Sequence, residues 1–119
     1  MKNNVALEKS ENFSMKIIDL YEDLSRTRMP QVLLTQILKS GTSIGANLNE
    51  GVYAISEKDF LNKVYISLKE CSETLYWLRL LNKASYLGDE RFAVLYTEGE
   101  EILKILTATT KTMSKKLTL

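Results

Sequence analysis

The chain has 119 residues, 45% of them hydrophobic and 26% charged, and a formal net charge of +1. That length fits one domain with a core of its own, and the near-neutral charge excludes a general electrostatic pull toward nucleic acid or acidic membranes. It contains no histidine, which excludes His-based catalytic arrangements, di-iron bundle sites and mixed Cys/His zinc sites.

The single cysteine, Cys71, cannot form an intrachain disulfide and fits a reducing compartment. The opening MKNNVALEKSEN has no apolar h-region, so no signal peptide is expected. No window holds the roughly 18 apolar residues of a membrane helix. A cytoplasmic protein is expected. One proline and five glycines favour a few long elements over many short ones.

The first helix is predicted over 5–27. Phe13, Ile17, Leu20 and Leu24 recur at three- and four-residue steps, a core-facing stripe widened by Ile18 and Tyr21. Arg26 and Arg28 lie where a helix C-terminus favours cations. The second helix is predicted over 30–54, with Pro30 in its first turn. From Met29 to Asn49 its only charged residue is Lys39, which reads as a helix touched by protein on most sides. Leu34, Ile37, Gly41, Ile44, Leu48 and Val52 make an apolar stripe, and Gln36, Ser40, Ser43, Asn47 and Glu50 a separate polar one. Gly41, Gly45 and Gly51 each cost about 1 kcal/mol against Ala in a helix interior, a cost that close backbone approach would offset.

Ser56, followed by Glu57 and Asp59, reads as the N-cap of a third helix over 57–85. Phe60, Val64, Leu68, Cys71, Leu75 and Leu78 form its core stripe, while Tyr65, Ile66, Tyr76, Trp77 and Leu80 lie off it as a second apolar face. Gly88 is expected to stop this helix and Asp89 to cap a fourth over 89–117. The fourth carries acids in its first half, and from Lys104 onward only cations: Lys104, Lys111, Lys115 and Lys116. Four amphipathic segments with short links predict an all-α, antiparallel up-down-up-down four-helix bundle, one domain over 1–119.

The candidate sites follow from these faces. The polar face of the second helix has three readings: hydrogen bonding that fixes helix register, a binding site built on Asn47 and Glu50, and a simple solvated face. Glu50 and Glu73, on adjacent helices, are weighed as an acid–base or metal pair against ordinary salt bridging of Glu73 with Lys69 or Arg79. Cys71 reads as a buried small hydrophobe. Tyr65, Tyr76, Trp77 and Leu80 read as anchors of a subunit interface. The lysine-only end reads as macrodipole complement or as a phosphate-contacting rim. Gly41–Gly45 lies within a helix and lacks the Lys-Ser/Thr ending of a phosphate loop.

Ser40-Gly41-Thr42-Ser43-Ile44-Gly45-Ala46-Asn47 with Glu50, and Lys58-Asp59-Phe60 followed by Ser67-Leu68-Lys69-Glu70 and Glu73-Thr74-Leu75-Tyr76-Trp77-Leu78-Arg79-Leu80-Leu81, resemble the bacterial four-helix bundle proteins encoded in intervening sequences of 23S ribosomal RNA genes. The resemblance runs from about Leu7 to Lys111. It implies the same bundle, assembled as a homopentamer. It also implies a relation to accessory proteins of diversity-generating retroelements, which bind a reverse transcriptase and nucleic acid through a basic surface. The family's Asn-x-x-Glu-Gly element stands here as Asn47, Glu50 and Gly51, with Ser43 and Glu73 among the other signature positions. Gly45 stands where Pro is frequent, and this chain is far less basic than the retroelement proteins. The expected function is a non-enzymatic homo-oligomeric module, pentamer favoured, with no cofactor, metal, membrane or small-molecule substrate. The alternative is nucleic-acid or ribonucleoprotein binding through the lysine end.

Overall fold

A computed structural model describes residues 4–118. It contains α1 (Asn4–Leu24), α2 (Gln31–Val52), α3 (Glu57–Lys83) and α4 (Asp89–Thr118). Each helix packs on its chain neighbours and α4 closes the ring on α1, with the diagonal pairs held apart by the core. The pairing is antiparallel. Asp23 meets Arg91 while Lys16 meets Glu98, and Ser40 meets Thr74 while Glu50 meets Lys63. The result is an all-α four-helix bundle, a rod of 51 × 21 × 20 Å.

The apolar stripes of α1 and α2 are the ones their spacing marks. Phe13, Ile17, Leu20, Leu34, Ile37 and Ile44 are fully buried. Val52, expected on the same stripe, stays partly exposed because α2 ends there. Along α3 the core face is Leu61, Val64, Ser67, Cys71, Thr74, Leu75, Leu78 and Leu81. Phe60 and Leu68, expected within it, are only half-buried. Phe60 stands in the first turn of α3 and Leu68 lies about 60° around the helix from Cys71, so both sit at the margin of the buried face.

The helix ends correct the expected boundaries. α1 stops at Leu24 rather than 27, because the Ser25 and Thr27 hydroxyls bond the carbonyls of Glu22 (2.8 Å) and Leu24 (2.6 Å). Arg26 and Arg28 therefore sit in the link. Pro30 is the residue before α2, not its first turn, and its carbonyl accepts the Leu33 and Leu34 amides. α2 ends at Val52 rather than 54, with Tyr53 as its cap. Ser56 caps α3 as expected, accepting the Asp59 amide at 3.0 Å. α3 ends at Lys83 rather than 85, and the residue that turns the chain is Ser85, at φ 67. The Tyr86 and Leu87 amides then bond back to Leu81, and Leu87 plugs the core. Gly88 takes no positive φ. The Asp89 carboxylate accepts the Asn82 side chain at 2.8 Å.

Candidate functional site

The polar face of α2 lies against α3. Ser40 is buried and accepts the Thr74 hydroxyl at 2.9 Å. Ser67, also buried, donates to the Ile44 carbonyl at 2.9 Å. Ser43 bonds the Lys39 carbonyl, and the Asn47 amide donates to the Ser43 carbonyl. The Thr74–Ser40 and Ser67–Ile44 bonds pin the register of α2 on α3, while those of Ser43 and Asn47 stay within α2. Ser67 and Thr74 were not singled out in sequence; their signal was two hydroxyl residues seven apart beside the Cys71 stripe. Gly51 is buried where a Cβ would stand 3.2 Å from the Phe60 ring.

Glu50 and Glu73 are not brought together. Glu50 pairs with Lys63 at 2.8 Å, and Glu73 accepts the Trp77 indole N–H at 3.1 Å. The Glu50 hydrogen bond, then its charge, holds Lys63 above the ordinary lysine range. Partial burial, then the charge of Glu73, raises the carboxyl of Glu70. Among the described residues no group of three or more His, Cys, Asp or Glu is placed to hold a metal. Cys71 is buried, its Sγ 3.3 Å from the Gly99 carbonyl, and burial pushes its thiol up to about 12. A thiol held protonated is a poor nucleophile.

The outer side of α3 is the apolar face that the bundle leaves uncovered. Tyr65, Ile66 and Tyr76 are 40%, 39% and 47% exposed. Trp77 and Leu80 are half-buried. The Tyr76 and Trp77 rings meet edge to face at 5.2 Å, and Arg79 lies 5.8 Å from the Tyr76 ring and donates to the Tyr96 hydroxyl at 2.7 Å. These contacts hold the Tyr76–Trp77–Arg79 part of the face in place.

The lysines separate into two groups. At about 100° per residue, Lys104, Lys111 and Lys115 share one line of α4 and Lys116 lies about 100° away. Lys111 and Lys115 join Tyr65, Thr110, Ser114 and Thr118 around a groove of about 510 Å³ between α3 and α4. Lys116 instead pairs with Glu57 at 2.6 Å, on the rim of a hollow of about 740 Å³ lined by Gly51, Val52, Phe60 and Met113. A third groove, of about 540 Å³, runs outside the α1–α2 seam. Among the described residues no helix is long and apolar enough to cross a membrane.

The model of the 23S rRNA-intervening sequence proteins matches residues 2–108. The chain belongs to that family. A crystal structure from Bacteroides thetaiotaomicron, described as a protein of unknown function from the S23 ribosomal protein family, is similar to it at 42% identity. That match has a TM-score of 0.86 and covers 89% of this chain and 98% of the other. A search of curated proteins finds no match. Family membership agrees with the four-helix bundle.

Proposed function

We propose that this intervening-sequence protein is a non-enzymatic, cytoplasmic, homo-oligomeric bundle that serves as a structural or binding module. The family resemblance favours five copies. The observation that carries this reading is the α3 face. Tyr65, Ile66 and Tyr76 remain 39–47% exposed on a bundle whose core is already complete, and covering what is left open would stabilise an association by about 1 kcal/mol each, less than half of what burying a fully exposed side chain gives. The non-enzymatic reading is supported by the state of the candidate groups: a buried, protonated thiol and two carboxylates occupied by separate partners. Light scattering at micromolar concentration tests the assembly. An oligomer is expected for the natural chain, and a monomer at all concentrations would end the reading.

A second reading has its own observation. The groove holding Lys111, Lys115 and Tyr65 sets two cations and an aromatic ring beside several hydroxyls. Those groups suit a phosphate backbone and a stacked base. Binding of RNA or DNA at low salt tests it.

A further inference from the structure

The apolar stripes of three helices run out into one open hollow. Val52 is the last residue of α2, Phe60 stands in the first turn of α3, and Met113 lies one turn beyond buried Thr110 on α4. Val52 is partly exposed, and Phe60 and Met113 are half-buried. With Ala54 and Ala108 they surround the hollow of about 740 Å³, and among the described residues α1 contributes nothing to its wall. Gly51 also lines it, and a Cβ there would stand 3.2 Å from the Phe60 ring. The missing side chain lets that ring lie against α2 and keeps the space open. The volume falls in the range of small-molecule sites, about 300–1,000 Å³ with mostly apolar walls and a few polar groups. No motif in the sequence marks this place, because its walls come from two helix ends, a link and the last turns of α4.

The polar groups of the hollow suit an anion. Lys116 stands on the rim, paired with Glu57 at 2.6 Å. Both side chains are more than half exposed, and an exposed ion pair contributes little, so Glu57 can give way to another anion. The other charged side chains of the last turns of α4, Lys111 and Lys115, are cations too, and a field of one sign favours a ligand of the other. The hydroxyls of Ser56 and Thr112 also line the hollow. The Ser56 oxygen accepts the Asp59 amide, which leaves its proton free to donate. We infer that the hollow binds a small amphipathic anion. Its apolar body lies against Val52, Phe60 and Met113, and its anionic head takes Lys116 from Glu57. Removing the body from water drives the binding, and the head sets its direction. The site is complete within one copy, so it holds whether or not the chain assembles.

Three probes with one alkyl chain and different heads test this: decanoate, decanol and decyltrimethylammonium, each titrated into the full chain below its micelle concentration and followed by methyl NMR. Decanoate should shift the methyl signals of Val52, Ala108 and Met113 saturably. It should bind more tightly than decanol, with decyltrimethylammonium the weakest. Lys116→Gln should weaken decanoate about tenfold, the equivalent of one charge-assisted hydrogen bond, and leave decanol unchanged. Glu57→Gln should tighten decanoate by removing its competitor for Lys116. Both positions are exposed, so neither change threatens the fold. Ala108→Trp, also at an exposed position, should fill the hollow and abolish binding of decanoate and decanol, with helix content unchanged in circular dichroism. Shifts that do not saturate, or equal affinity for the three probes, mean surfactant adsorption and overturn the site. Saturable binding that ignores both Lys116→Gln and Glu57→Gln overturns the anionic head. Should Ala108→Trp lose helix, the opposite effects of the two charge variants still decide the question.

Discussion

Gly41 sets the distance between α1 and α2. Its missing side chain lets Ile17 sit where a Cβ would be 2.9 Å from both γ carbons, and Ser14 adds a hydrogen bond to the Gly41 carbonyl at 3.2 Å. Ile17 is β-branched and fully buried, so it cannot swing aside cheaply. Gly41→Ala gains about 1 kcal/mol of helix propensity and meets an overpacking cost of about 1–3 kcal/mol. We expect a net loss of stability in urea unfolding, and a signature in a double-mutant cycle. Combined with Ile17→Ala, which removes both clashing carbons, Gly41→Ala should cost less than alone, with a coupling of about 0.5 kcal/mol or more. Strict additivity would mean that the two residues do not touch. The sequence could show that Gly41 was costly; only the coordinates show that Ile17 is the reason, whereas a Cβ at Gly45 would meet Ser10 at an ordinary 3.5 Å.

The helix ends show what a local reading captures and what it misses. Ser56 was legible because an N-cap is decided by one side chain and the next few amides. The stop of α3 was not. Gly88 looked like the terminator, yet the left-handed residue is Ser85. Leu87 has to reach the core, and that fixes where the chain turns. A serine at φ 67 is strained by about 1–2 kcal/mol relative to glycine. Ser85→Gly should therefore raise the urea midpoint. Gly88 has an ordinary φ and open space around a Cβ, so Gly88→Ala should be neutral or stabilising by up to about 1 kcal/mol. If Gly88→Ala proves the damaging change and Ser85→Gly the neutral one, the α3–α4 turn is misplaced. The same limit applies along α3. Its outer aromatics were visible from spacing, but the exchange of Phe60 and Leu68 for Leu61 and Leu81 in the core depends on how a 27-residue helix rotates past its neighbours.

At the scale of the whole molecule, the proposed assembly would multiply a weak local charge. A net charge of +1 gives a single copy almost no long-range field, and Lys116 is neutralised locally by Glu57. On the C-terminal half of α4 the cations outside the ion pairs of the described residues are Lys104, Lys111 and Lys115, the last two beside Tyr65 in one groove. One such line offers a nucleic acid about three phosphate contacts. Since each contact contributes roughly −0.7 to −0.9 to the slope of log K against log salt, a lone copy should bind weakly, with a slope near −2 to −3. An assembly that presents several lines to one strand raises both affinity and slope. The natural chain should thus show a steeper salt dependence at concentrations where it assembles than at dilutions where it does not, measured by fluorescence anisotropy with a labelled single-stranded RNA. Lys111→Glu with Lys115→Glu should remove binding from both, whereas Lys116→Glu should leave it nearly intact. Equal slopes for the oligomer and the monomer would show that assembly and nucleic-acid binding are independent. Tyr65 lies both on the exposed α3 face and in the lysine groove, so a bound strand and a docked neighbour would compete for it. Tyr65→Ala should then weaken both properties, while Tyr76→Arg, farther along α3, should weaken assembly and retain the low-slope binding of a single copy.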